Sequence, residues 1–361
     1  MSYIARYLAQ ANPIKASDIH ICEARPVRAR VDGEIVILED NAPDIKNIFD
    51  ELIDFNPPNV KKDLLASLED RNDICFTFES APHKLRLRVT VYKDEIGLCI
   101  AIRLIPFNPY SIDELGLPDF AQEVCKLNRG LFVVTGASGS GKSTTLAAMV
   151  DHMNKTRKAH IITIEDPIEF VIKSDKCLVN SREVGRDTQS FATGIHWILR
   201  EDPNVVVLGE LRDIASMRAA IQIAETGHFV LATLHTRSAV STIDRFIGSF
   251  PPDDQHQMRM MLADNLVGIL AQTLIPRRSG GGMIGAYELL INNDAMKNNI
   301  REQKIYQIEN ILQTGQSQGM MSMEDYIIHL IKQEFVDYEK AMQYAPSRRK
   351  LQEKYDRMML M

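Results

Sequence analysis

Leu131-Phe132-Val133-Val134-Thr135-Gly136-Ala137-Ser138-Gly139-Ser140-Gly141-Lys142-Ser143-Thr144 is the stretch from which the rest of the chain can be read. An apolar run ends in a glycine-rich turn of the form G-x-x-x-x-G-K-[ST], and a helix-length segment follows as far as Met153. The order strand, phosphate loop, helix is therefore expected. Glycines let successive backbone N–H groups turn toward one centre, and the helix N-terminus adds positive potential there. Gly136, Ser138, Gly139, Ser140, Gly141, Lys142, Ser143 and Thr144 are the expected contacts to ATP, with Lys142 on the β- and γ-phosphates and the Ser143 hydroxyl on Mg²⁺.

Downstream, the short apolar runs Ile161 to Glu165, Val205 to Leu208 and Phe229 to Thr233 each precede a helix-length segment, which implies a wound, mainly parallel α/β sheet. Ligands bind at the C-terminal strand ends of such sheets. Two ends there carry acids: Thr163-Ile164-Glu165-Asp166-Pro167-Ile168-Glu169 and Leu208-Gly209-Glu210. Phosphoryl transfer rests on positioning and charge neutralisation, so one carboxylate is expected to order the metal and another to orient and deprotonate the attacking water. Glu210 is assigned to the metal and Glu165 to the base. Glu210 stands where an aspartate is more usual, so the choice of base between the two stays open on these residues alone. Asp166 and Glu169 read equally well as helix caps or loop salt bridges. His235 closes the strand in Thr233-Leu234-His235-Thr236 and is placed to sense the terminal phosphate, whereas His160, His196 and His228 read as structural.

Upstream, a hairpin is expected from Val27 to Ile37 around Asp32-Gly33, helices near Asp44 to Phe55 and Val60 to Leu68, and strands over 73 to 79, 85 to 92 and 96 to 105. This is a small α+β unit with an antiparallel sheet. Its strands carry Arg86, Arg88 and Arg103; Arg86 and Arg88, two apart, share a face, and by residue pattern alone a solvated basic face accounts for all three. Two prolines in Ile105-Pro106-Phe107-Asn108-Pro109 interrupt helix and sheet alike. The domains are accordingly set at 1-105 and 119-361, with a linker over 106-118. After Pro251-Pro252 the chain reads as long helices, with a hairpin around Ser279 to Gly282 and a helical region from Ala295 onward.

A chain of 361 residues can fill two cores, and a net charge of −6 gives no basic field of the kind that draws a protein onto nucleic acid. Its five cysteines are scattered and odd in number, which reads as reduced thiols in a cytosolic protein rather than a disulfide framework or zinc site. No basic-then-apolar leader and no apolar run of about 20 residues stands out, so any membrane work is expected to go through a partner.

Together these motifs resemble the secretion ATPases of the PilT and PilU type, the retraction motors of type IV pili. The landmarks are Ala16-Ser17-Asp18-Ile19-His20 with Arg30-Val31-Asp32-Gly33, the phosphate loop, Thr163 to Phe170, Arg182-Glu183-Val184, Arg200-Glu201-Asp202-Pro203, Gly209-Glu210-Leu211-Arg212-Asp213, Glu225-Thr226-Gly227-His228 and Thr233-Leu234-His235-Thr236. The resemblance implies a PAS-like domain followed by a RecA-like ATPase domain, and a cytoplasmic homohexamer peripheral to the bacterial inner membrane. The implied partners are an inner-membrane platform protein and a paralogous retraction ATPase. It also implies that Arg88 and Arg103 reach the nucleotide, and it agrees with Glu165 as base and Glu210 toward Mg²⁺. Ala295 to Glu302 resembles the segment A-I-R-N-L-I-R-E associated with retraction, with Asn299 in place of an apolar residue, and Phe250 to Asp253 leans toward PilU. Extension ATPases are longer and carry a four-cysteine motif, a DNA-transport motor would call for a basic surface, and an accessory ring subunit dependent on a second motor is a further reading.

Overall fold

In Leu85 to Lys93, Leu87, Val89 and Val91 are fully buried while Arg88 and Thr90 between them are only half-buried, the period-two signature of a strand with one face on a core. The computed structural model describes residues 2–360, the side chains of residues 59 and 71 excepted. It divides into one unit of Met1–Asn108 with Ser279–Met283, and another of Pro109–Arg278 with Ile284–Met361.

The first unit is built on strands β1 (Asp18–Cys22), β2 (Val27–Val31), β3 (Glu34–Glu39), β4 (Asp73–Ser80), β5 (Leu85–Lys93) and β6 (Leu98–Pro106). Their order is β3-β2-β1-β6-β5-β4, and neighbouring strands run antiparallel. Three helices accompany the sheet: Tyr3–Ala11, Ile45–Asp54 and Pro58–Arg71. The first buries Ile4, Tyr7, Leu8 and Ala11, spaced to form one helical stripe, and is capped by Ser2, which accepts from the Ala5 N–H. Neither that helix nor β1 is among the elements expected from sequence. The short alternating run Asp18-Ile19-His20-Ile21-Cys22 gains its strand identity from pairing with β2 and β6 on its two sides.

The second unit contains β7 (Gly130–Thr135), β8 (His160–Glu165), β9 (Leu178–Glu183), β10 (Val205–Leu208), β11 (Phe229–Leu234), β12 (Leu266–Pro276) and β13 (Met283–Ile291), in the order β13-β12-β7-β11-β10-β8-β9. From β12 to β9 the pairing is parallel throughout. Leu131 and Val133 join one buried cluster and Phe132 and Val134 another, so β7 has a core on each face, as a parallel sheet between two helical layers requires. Lys142–Thr156 supplies Leu146, Met149 and Met153 to one layer, and Ile214–Glu225 supplies Met217, Ala220 and Ile221 to the other.

One expectation is corrected in this unit. Beyond Pro252 a single helix, Pro252–Asn265, gives way to β12 and β13, so the long helices expected there end at Asn265. Leu266 to Pro276 is apolar almost without a break, a pattern that buried helix and buried strand share. Gly268 marks the strand: a Cβ there would lie 2.7 Å from the Leu290 carbonyl oxygen of β13. The C-terminal helices Asp294–Arg301, Ile308–Thr314, Met323–Lys332, Tyr338–Tyr344 and Arg348–Met359 follow. No helix among the described residues is long and apolar enough to cross a membrane.

Candidate active site

Parallel register brings one end of each central strand to the same edge. Thr135 of β7 is level with Leu234 of β11 and Ala271 of β12, while Leu208 of β10 is level with Ala232 and Ile164. The phosphate loop, Glu165, Glu210 and His235 therefore emerge together, although they span 100 positions of sequence.

The loop runs from Gly136 to Gly141, which is in the left-handed region with φ +89° where it caps Lys142–Thr156. At Gly136 the glycine is required by space as well: a Cβ would stand 2.4 Å from both the Gln272 carbonyl oxygen and the Ser140 hydroxyl. Lys142 is 8% exposed, and burial lowers its affinity for a proton, with Glu210 and Glu169 opposing that shift. Its ammonium donates to the Gly136 and Ala137 carbonyls, both at 2.9 Å, and meets His235 Nδ1 at 3.3 Å. An ammonium can only donate, so Nδ1 is the accepting nitrogen and the imidazole proton sits on Nε2. That nitrogen faces Glu210 Oε1 at 3.1 Å, while Arg212 Nε takes Glu210 Oε2 at 3.0 Å. A continuous chain results, Lys142 to His235 to Glu210 to Arg212, extended by Arg212 to Asp166 at 3.3 Å.

The backbone holds Glu210 in this chain. Gly209 N–H bonds the Ile164 carbonyl, Leu211 N–H bonds the Thr233 carbonyl at 2.9 Å, and the Thr233 hydroxyl bonds the Gly209 carbonyl. A Cβ on Gly209 would lie 3.1 Å from the Ile164 oxygen and 3.3 Å from Glu165 Cα, so a glycine here keeps the two acidic strand ends close. Glu165 accepts from the Thr163 hydroxyl at 2.8 Å and, with Ser143, lines a cleft whose floor includes Leu146, Phe170 and Val207. The second unit thus assembles Gly136, Ser138, Gly139, Ser140, Gly141, Lys142, Ser143, Thr144, Glu165, Glu210 and His235 at one sheet edge. Arg88 and Arg103 belong to the first unit, in register with one another on β5 and β6; Arg103 Nε pairs there with Asp18 at 2.9 Å.

Sequence reasoning gave no role to Arg212, which anchors Glu210, or to Thr135. The Thr135 hydroxyl, fully buried, lies within hydrogen-bond distance of the Leu234 and Thr236 carbonyl oxygens, at 3.1 and 2.8 Å, and of the Thr236 hydroxyl, and accepts from the Thr236 N–H at 3.0 Å. A threonine at the end of an apolar run beside the glycine loop was the available signal for it.

The family model for type II/IV secretion system proteins matches residues 1–281. The chain belongs to that family. The type IV pilus retraction ATPase PilT of Pseudomonas aeruginosa is 40% identical over 342 residues, covering 95% of this chain and 98% of that protein. A twitching motility protein of Neisseria gonorrhoeae is 43% identical over 273 residues, or 76% of this chain and 73% of that one. The crystal structure of the pilus retraction motor PilT with bound ADP superposes with a TM-score of 0.83 at 38% identity, covering 97% of this chain and 99% of that one. The chain is a RecA-like P-loop ATPase of the type II/IV secretion system family. Within it, the segment resembling A-I-R-N-L-I-R-E forms the helix Asp294–Arg301, which buries Met296 and Ile300; Asn299 is half-buried and its amide donates to its own helix at the Ala295 carbonyl.

Proposed function

We propose that this chain is an ATP-hydrolysing motor that powers type IV pilus retraction, working as a homohexamer against an inner-membrane platform protein. The observation that carries the reading is the likeness to PilT along 95% of the chain, together with the chain of contacts that joins Lys142, His235 and Glu210 at the phosphate loop. All three ammonium protons of Lys142 have protein partners in this arrangement. Triphosphate oxygens are stronger acceptors than carbonyls or imidazole, so ATP draws Lys142 away from His235. The vacated Nδ1 then faces the terminal phosphate while Nε2 keeps its contact with Glu210. Glu165, steadied by Thr163, orients and deprotonates the attacking water.

The Ser143 hydroxyl and the Glu210 carboxylate are hard oxygen donors of the kind Mg²⁺ takes, and these two residues would hold it. Bound there, the ion would neutralise charge on the triphosphate. Arg88 and Arg103 supply further positive charge to the transition state in the assembled ring, a role that upgrades them from a solvated face. We assign the base to Glu165 and the metal side to Glu210, whose carboxylate stands in the chain of contacts with His235 and Arg212 beside Lys142.

The test is expression in a piliated bacterium lacking its own retraction ATPases. The parent chain restores twitching and pilus retraction, while Lys142→Ala, made at equal abundance, restores neither. A parent chain that hydrolyses ATP yet leaves pili unretracted contradicts the retraction reading and points to an accessory subunit.

A further inference from the structure

Gln272 follows directly on Ala271, the residue of β12 that is level with Thr135 at the end of β7. It therefore stands beside the phosphate loop, and it is 4% exposed. Its carboxamide is used at both ends. Nε2 donates to the Ser140 carbonyl at 2.6 Å, and Oε1 accepts from the Thr145 hydroxyl at 2.9 Å. A carbonyl only accepts, so the group facing Ser140 is the amide nitrogen.

This pair of bonds fixes a direction. In a planar trans peptide the C=O and the next N–H point opposite ways, so anchoring the Ser140 oxygen on Gln272 turns the Gly141 N–H away from β12. Thr145 lies one helical turn beyond Gly141, in Lys142–Thr156, and is 2% exposed. A single side chain thus grips both the last peptide of the loop and the opening of the helix, the two parts whose mutual angle sets where the N–H groups converge. Packing leaves little slack: a Cβ on Gly141 would be 3.2 Å from Gln272 Nε2.

We infer that Gln272 is a positioning residue for nucleotide binding, holding the Ser140–Gly141 peptide and the start of the helix in the phosphate-receiving arrangement before ATP arrives. It acts through the loop backbone, and it rests on the ATPase chemistry of the site rather than on pilus retraction. Removing the carboxamide leaves the Ser140 carbonyl and the Thr145 hydroxyl buried without their partner.

Nucleotide affinity of the purified full chain, measured with ADP and ATP by calorimetry alongside kcat, KM and the nucleotide-free melting temperature, tests this. Gln272→Leu is expected to weaken binding about tenfold, the equivalent of ~1.4 kcal/mol, and to raise KM while kcat falls less than about threefold. Thr145→Val reproduces part of the loss and Thr145→Ser, which keeps the hydroxyl, restores the parent values. The double variant Gln272→Leu with Thr145→Val is no worse than Gln272→Leu alone, because both act on one contact. Unchanged affinity in a folded Gln272→Leu, a fall in kcat at constant KM, or additive losses would each overturn the inference. Should Gln272→Leu not fold, equal KM for Thr145→Val and Thr145→Ser would overturn it as well. Because the readout is binding, failure of the retraction reading leaves it untouched.

Discussion

In the first unit Arg30, Asp18, Arg103 and Arg88 lie side by side on four neighbouring antiparallel strands, whereas in the second Lys142, Glu165, Glu210 and His235 gather from the ends of four parallel ones. The first arrangement is a product of register, the second of strand direction. An antiparallel sheet alternates its strand ends between two edges, so a cluster forms most readily across a face, where residues 18, 30, 88 and 103 meet only if each strand is paired without slippage. A parallel sheet sends every C-terminal end to one edge, so short local motifs suffice to build a site.

Carboxylates within the strands, Glu288 on β13 and Asp18 on β1, offer the same contrast on a smaller scale. Glu288 on β13 is 7% exposed; it accepts from the Ala239 N–H at 2.7 Å, at the start of the helix Ala239–Gly248, and from the Met323 N–H at the start of Met323–Lys332. Burial pushes its pKa up from 4.5 to about 7, the nearby Glu324 and Glu309 adding to the shift while the two N–H groups oppose it. Asp18 on β1 instead has the Arg103 guanidinium beside it.

The largest effect that would sharpen this contrast is at Glu288. Its folded pKa lies above its unfolded one, so the parent is favoured with the proton on and loses stability as pH rises from 4.5 through about 7. Glu288→Gln has no charge to bury. Its stability relative to the parent should therefore climb by about 1–3 kcal/mol between pH 5 and pH 8, a shift of several degrees in melting temperature. A difference that is flat with pH would break the account of Glu288. The smaller effect is at Asp18, where Asp18→Asn removes an ion pair whose arginine is half exposed; a loss of about 0–1 kcal/mol that shrinks in high salt is expected by melting. A loss of several kcal/mol, insensitive to salt, would mean that the first unit buries its charges as the second does.

What the sequence disclosed follows the same division. The phosphate loop, Glu165, Glu210 and His235 were legible because each lies in a contiguous motif beside an apolar run, and strand ends are where such runs stop. Asp18 opposite Arg103 was not, because it needs the pairing of β1 with β6 across 85 positions of chain. Gln272 was hidden for a related reason: Leu270-Ala271-Gln272-Thr273-Leu274 reads as an apolar stretch with one amide, and only the register of β12 on β7 sets that amide behind the glycine loop. Arg212 and Thr135 act through contacts to loops that are distant in sequence, so local pattern could suggest them but not assign them.

The proposal that this ATPase works as a ring, with Arg88 and Arg103 adding charge to the site at the parallel strand ends, is tested most directly by mixing subunits. Particle mass and ATP hydrolysis would be measured together as Arg88→Ala chains replace parent chains in rising proportion. The account predicts a hexamer mass throughout and a loss of activity steeper than the fraction replaced, because one defective arginine impairs more than its own subunit. Hydrolysis that falls only in proportion, or that is unaffected when every chain carries Arg88→Ala, would contradict it.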